Sequence, residues 1–436
     1  MSSSTKDLQK TAAYLRTLPA IRERCGRVHV LATQGKLEYF DYDPEKEADV
    51  AAFCVDIMKR DFGTSFASIP PHGRWRHLDA GRPRVEPLIA KWKASANPPD
   101  TKEICKRLID LFLVSVLLDA GAGNSWKYYE ESSGQTFTRS EGLGVASINM
   151  FEKGFFSGDR ANPYQVDADG LARITPERTA AAMQVSASNP MVGIDGRSAL
   201  LQNLSAALRG RPTFFGSSMR PGNLLDYLDS ESTLSGSTRT VHIFSLWTAL
   251  IEGLAPIWPA RLTFAGVPLG DVWPCGTLKP SASAEGDELV PFHKLTGWTT
   301  YSLVEPIEKV LQWRFEGLEH MTGLPEYRNG GLLVDLGVLK LRPGAIPASF
   351  YPDSSSDIPK LPPSHPAVVE WRAMTVIELD RIANLIREQL GLGAQELTLA
   401  QVLESATWKG GREIAKQKRP ATGGPPIDIE SDGTVF

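Results

Sequence analysis

The chain has 436 residues, of which 42% are hydrophobic and 22% charged, with a formal net charge of −4. This is the composition of a globular protein long enough to bury a sizeable core. The near-neutral charge balance argues against a chain-wide nucleic-acid or anionic-membrane partner and leaves only local basic patches open.

Apolar spacing predicts helix over 6–32, with Pro19 restarting the pattern. LEYFDYDP reads as a short strand or extended turn, after which Asp43 caps a helix running through Met58. Helix resumes after Val85 and again, strongly, over 101–119. Further helices are expected over 140–155, 175–186, 194–208 and 223–229. VHIFSLWTALIEGLAPIW (241–258) reads as a buried helix ended by Pro259, residues 302–321 as an amphipathic helix, and 365–391 as the last long one. Strand-like alternation is rare, although LTFAG and GGLLVDLGVLKL could pair as a small sheet. The expected fold is mainly α with a small β element, in one large multi-helical domain over 1–436. A surface loop is expected near 351–366 and an irregular tail over 409–436.

Cys25, Cys54, Cys105 and Cys275 show no C-x-x-C spacing, so neither a zinc knuckle nor a disulfide framework is indicated. Cys54 and Cys105 fall in apolar helical patterns and read as core. MSSSTKDLQKTAAYLRTL has no apolar signal core, and the longest apolar run, near 111–118, is too short to span a bilayer. A cytoplasmic protein is expected. There is no P-loop, no G-x-G-x-x-G after a strand, no H-E-x-x-H and no G-x-S-x-G. Apart from His72 and His77, which sit in a loop, the seven histidines lack metal-ligand spacing, so no metal is expected.

What stands out is five stretches mixing glycine, aromatic rings and carboxylates: 121–130, 140–147, 219–229, 292–303 and 324–339. Glycine lets backbone approach a ligand, Trp and Tyr offer flat faces with a polar handle, and carboxylates move protons or stabilise a cation. Each residue also has a plainer reading. Trp126 and Trp298 are either core rings or stacking platforms. Glu141 either favours a helix N-terminus through the dipole or acts chemically. Asp226 is a turn residue, a cap or a functional acid. Asp335, flanked by Leu333, Val334 and Leu336, is costly to bury unpaired and needs Arg328 or His293 as partner unless it faces out. Arg82, Arg84 and Arg328 are either salt-bridge partners or phosphate binders.

GNSWKYYE, RSEGLGVAS with NMFEKGFFS, FHKLTGWTTYSL, TGLPEYRNGGLLVDLGVL and the ending PPIDIESDGTVF together resemble the family called uracil catabolism protein four. The resemblance spans essentially the whole chain. It implies a place in pyrimidine degradation, where a ring-opened uridine leaves urea joined to ribose by an N-glycosidic bond that some protein must cleave. The pattern is also similar, at the level of fold, to helical nucleoside glycosidases of queuine salvage.

The resulting expectation is a hydrolase of an N-ribosidic bond in ribosylurea or its 5′-phosphate, with no cofactor. The partner is a small nucleoside or nucleotide derivative, not nucleic acid or membrane. Cleavage passes through an oxocarbenium-like state that a carboxylate stabilises while a second group protonates the leaving nitrogen. Asp335 is the first choice for that carboxylate, with Glu141 and Asp226 next, and His293 or Glu326 assisting departure. Asn124, Trp126, Tyr128, Trp298, Tyr301, Tyr327 and Asn329 are expected to line the ligand, and Lys294 or Arg328 to meet a 5′-phosphate. The alternatives are a uracil phosphoribosyltransferase, for which no phosphate loop is visible, a non-catalytic binding or assembly protein of the same pathway, and a nucleic-acid regulator, against which the charge speaks.

Overall fold

A computed structural model describes residues 5–119, 122–123, 125–258, 261–353 and 356–430. Among them 18 α-helices carry the fold, and the strands are two to five residues long in sheets of two or three. The mainly α expectation with small β elements therefore holds. The described residues form two units, each built from separated stretches: 5–72, 261–294 and 319–430 in the first, 73–258 and 295–318 in the second.

The first unit is organised on the helix Pro366–Leu390, buried along most of its length, against which Leu18–Thr33 and Glu47–Phe62 pack. Pro366 suits the first turn, where its missing N–H is no loss, and Gly391 ends the helix at φ 66°. From this axis the Glu370 carboxylate accepts the backbone N–H groups of Glu38 (2.8 Å) and Tyr39 (2.9 Å) and the Thr277 hydroxyl. That anchors the strand Phe40–Tyr42, which pairs antiparallel with Leu339–Leu341, Phe40 opposite Leu341. Helix Tyr327–Asp335 lies so close to Trp408–Lys418 that a Cβ on Gly411 would sit 2.1 Å from the Arg328 carbonyl oxygen.

The second unit is organised on Thr101–Leu117. Asp100 accepts the Glu103 N–H at 2.7 Å as its N-cap, and every residue from Leu108 to Leu118 is buried. Asp110 in mid-helix is wholly buried and fully engaged, accepting from Arg220 Nη2 (2.8 Å), Arg220 Nε (3.1 Å), Gly222 N (2.7 Å) and Val166 N (3.2 Å). Helix Arg139–Glu152 packs on Thr101–Leu117 and on Trp75–Leu78. The hairpin Lys127–Glu130/Gln135–Thr138 pairs Lys127 with Thr138. The outer edge of its first strand is covered by two side-chain amides. Asn189 both accepts from and donates to the backbone of Lys127, and Gln184 does the same at Tyr129. Alternate residues of a strand point their N–H and C=O to the same side, so two amides two residues apart imitate a neighbouring strand.

Several element boundaries differ from the sequence reading. GGLLVD is helical within Tyr327–Asp335, and LTFAG pairs only locally, Thr263–Phe264 with Val267–Pro268. A run of apolar residues does not distinguish buried helix from strand. The 241–258 segment splits into the strand Thr238–His242 and the helix Ile243–Gly253. The helix placed over 302–321 is Lys294–Leu311, followed by the strand Arg314–Glu316. Its front half is rich in Thr, a weak helix former, whose hydroxyls turn back onto the helix: Thr299 to the Leu295 carbonyl (2.7 Å), Thr300 to that of Thr296 (2.8 Å). The first part of the expected irregular tail is the helix Trp408–Lys418, and Asp428–Ile429 pairs parallel with Lys360–Leu361. All four cysteines are buried and free. No described helix is long and apolar enough to cross a membrane.

Candidate functional site

In the first unit four of the expected residues, Glu326 to Asn329, open the helix Tyr327–Asp335. Glu326 is its N-cap, accepting from Arg328 N (2.7 Å) and Asn329 N (2.5 Å); burial raises its pKa, and those two bonds and the charge of Lys294 oppose the rise. Asn329 is wholly buried and donates to the Leu324 carbonyl. Arg328 donates to the Gly423 carbonyl at 2.8 Å and lies over the Tyr327 ring. Asp335, at the far end, is gripped at both oxygens by Arg419, with Nη1 to Oδ1 at 2.8 Å. It is thus neither outward-facing nor paired with Arg328 or His293. His293 meets the Leu15 carbonyl at 2.8 Å, and its burial depresses its pKa. Beside it, Asp271 holds Arg372 through two 2.8 Å contacts and caps Lys294 N. Asp335 and Asp271 are thus tied into the scaffold by guanidinium ions, and His293, Arg328 and Asn329 by backbone carbonyls.

In the second unit Asp226 is half-exposed and bridges Lys106 and Lys102; burial lifts its pKa, but the two ammonium groups outweigh that and leave it lowered. Trp126 is fully buried and donates its ring N–H to the Met183 carbonyl at 2.9 Å. Tyr128 is buried with its hydroxyl 3.3 Å from Asn149 Nδ2, and burial raises its pKa. Trp298 and Tyr301 are buried on Lys294–Leu311, and Trp298 meets His77 edge-on at 5.7 Å. Asn124 lies outside the described residues, as does Gly121. Lys106 lies in the first half of the helix and Asp119 just past its end, about 20 Å apart at 1.5 Å per residue, so Asp226 does not join the next group.

That group forms where the buried helix Thr101–Leu117 ends. Asp119 follows directly after the last turn, where the helix dipole disfavours a carboxylate. Its Oδ2 lies 2.7 Å from Nη1 of Arg74, a guanidinium with no solvent exposure. Arg74 Nε donates to Ser115 Oγ at 2.7 Å, Ser115 meets Ser147 Oγ at 2.6 Å, and Ser147 donates to the Gly144 carbonyl. A second buried arginine, Arg197, donates from Nε to the Leu118 carbonyl at 3.0 Å and from Nη1 to that of Val192. Burial lowers the pKa of both arginines, that of Arg197 to about 10, and the Asp119 charge counteracts it in each; Glu141 lies close enough to support the charged form of Arg74 as well. Glu141 is itself half-buried in the first turn of Arg139–Glu152. The group thus sets two carboxylates against two desolvated guanidinium ions.

Of the residues expected from sequence, Glu141 belongs to this group. Asp119, Arg74 and Arg197 were missed. One signal was legible: LLD closes an apolar run with an acid at the unfavourable end of a helix, which calls for a cation.

A mainly helical protein with a buried carboxylate–guanidinium site at the end of its central helix is the class these features define. The chain belongs to the family described as "Protein of unknown function (DUF1688)", whose pattern matches residues 14–436. It is 43% identical over 437 positions to uracil catabolism protein 4 of Lachancea kluyveri, covering 97% of this chain and 98% of that one. It is equally 43% identical over 430 positions to the protein urg3 of Schizosaccharomyces pombe, covering 98% and 99%.

Proposed function

We propose that the protein acts in uracil catabolism and hydrolyses the N-ribosidic bond of a ring-opened uridine derivative, ribosylurea or its 5′-phosphate. The pathway rests on near full-length similarity to a protein whose name assigns it to uracil catabolism. The reaction rests on one observation: half-buried Glu141 stands within electrostatic reach of Arg74, which Asp119 and Ser115 hold in a fixed plane.

Breaking the bond between C1′ and the ureido nitrogen leaves positive charge on the ribose ring and negative charge on the departing group. A carboxylate serves the first need and takes a proton from the attacking water. Glu141 has that role in our reading, and Asp119 keeps Arg74 charged and oriented. Water and ribosylurea give ribose and urea. Trp126, just before the strand Lys127–Glu130, and Tyr128 within it are both buried.

The test is incubation of the purified protein with ribosylurea, with and without its 5′-phosphate, beside uridine and UMP, scoring urea, uracil and ribose. Urea and ribose in equal amounts from one ribosylurea form support the hydrolase. Binding without turnover of any of them favours a pathway-binding protein, and uracil-to-nucleotide conversion with phosphoribosyl pyrophosphate would favour the transferase.

A further inference from the structure

Arg74 carries five N–H donors in one plane. Nε faces Ser115 at 2.7 Å and Nη1 faces Asp119 at 2.7 Å. Among the described residues Nη2 is buried with no hydrogen-bond acceptor, whereas Nη1, outside hydrogen-bond geometry, at least has the Asp119 carboxylate beside it. Buried polar groups in folded proteins are almost always bonded, and leaving a charged one unmet is expensive. The orientation is not accidental, because the Ser115–Ser147–Gly144 chain fixes the guanidinium plane across two helices. Arg197 provides the contrast: its donors close onto the carbonyls of Leu118 and Val192.

The charge of the surroundings selects the missing acceptor. Arg74 and Arg197 carry two positive charges; Asp119 and Glu141 carry two negative ones. These four groups leave no surplus cation among themselves, and a phosphate dianion would meet as much repulsion from them as attraction. A neutral carbonyl oxygen meets none.

We propose that Arg74 Nη2 is the recognition point for the carbonyl oxygen of a urea or amide group on the ligand. Combined with the hydrolase reading, on which this second part rests, Arg74 is the leaving-group residue. The C1′–N pair of electrons passes to the ureido nitrogen and spreads onto the carbonyl oxygen, where the charged N–H stabilises it. The oxygen of water bonds to C1′, its proton goes to Glu141, and Glu141 returns that proton through solvent to the ureido nitrogen, so that neutral urea leaves and the carboxylate is restored. A 5′-phosphate, where present, is held elsewhere.

The experiment compares the wild type with Arg74→Lys and Ser115→Ala by calorimetry with ribosylurea, N-methylurea and ribose, alongside the cleavage assay. Ser115→Ala removes only the group that aims the guanidinium, and it reads the same property if Arg74→Lys does not fold. Ureide affinity is expected to fall roughly tenfold or more in Arg74→Lys, and several-fold in Ser115→Ala, with ribose affinity unchanged. Cleavage with undiminished ureide affinity in both variants overturns the inference and leaves the hydrolase reading standing. Ureide binding lost in the variants, with no cleavage even by the wild type, overturns the hydrolase reading and keeps the recognition point. A wild type that binds no ureide overturns the inference.

Discussion

Asp119 Oδ2 and Arg74 Nη1 stand 2.7 Å apart at the C-terminal end of the helix Thr101–Leu117, with the guanidinium wholly out of solvent. Neither charge could occupy that place alone. The helix end repels a carboxylate, and a buried guanidinium without a counter-ion is strongly desolvated. Asp119→Asn leaves Arg74 without its main compensation. The expected loss is about 3–5 kcal/mol of stability, read as a lower denaturant midpoint. A change under about 1 kcal/mol would mean that the pair is not a buried ion pair in solution.

Asp335 separates a scaffold role from a chemical one. Its carboxylate is held by both arms of Arg419, joining the helix Tyr327–Asp335 to the residue that follows Trp408–Lys418. Asp335→Asn should cost about 2–4 kcal/mol while leaving turnover per folded molecule within about twofold of the wild type. Thermal melting beside steady-state kinetics checks this, and a loss of kcat without a loss of stability would return Asp335 to the chemistry.

Glu130 sets an acid limit. Arg84 donates to it from Nε at 2.8 Å and from Nη2 at 2.9 Å, and Arg82 adds a further contact. The Arg84 bonds chiefly hold its pKa down at about 2, below the ordinary 4.5. The folded state therefore binds this proton less readily than the unfolded chain. The stability it confers is complete above the ordinary value and is lost as pH falls from about 4.5 to about 2. Urea midpoints across that window should fall more steeply for wild type than for Glu130→Gln. Parallel profiles would show that Glu130 adds no pH dependence.

Gly144 tests how helix packing positions the site. A Cβ there would lie 2.4 Å from the carbonyl oxygen of His77, a backbone atom that cannot swing aside. Gly144→Ala should destabilise by about 1–3 kcal/mol despite alanine's better helix propensity. It should also lower kcat, because the same helix carries Glu141 and Ser147. Thermal melts and kinetics on one preparation decide it; a stabilised protein would mean the two segments pack less closely.

Long amphipathic helices such as Thr101–Leu117 and Pro366–Leu390 were legible because their apolar spacing is strong and their ends carry caps: Asp100 on one, Pro366 and Gly391 on the other. Helix Tyr327–Asp335 was ambiguous, since Leu332, Leu333 and Val334 suit strand and helix equally. Lys294–Tyr301 was missed because its threonines satisfy their hydroxyls within the helix, a local bond that composition does not show. The same limit governs the site. Glycine–aromatic–acid stretches drew attention to Glu141 and Asp335 alike. Only tertiary partners separate them: Arg419 closes on Asp335, whereas the Glu141 charge acts on the buried guanidinium of Arg74, far earlier in the chain. Arg74, in a loop-like stretch, gave no local sign of its burial.

The most direct measurement is urea release from ribosylurea by the wild type and by Glu141→Gln, with ligand binding measured on both. Turnover by the wild type is expected, with a loss of about a hundredfold or more in the variant and ribosylurea still bound. Wild-type turnover that persists undiminished in Glu141→Gln would contradict Glu141 as the proton acceptor, and no urea from either protein would contradict the hydrolase itself.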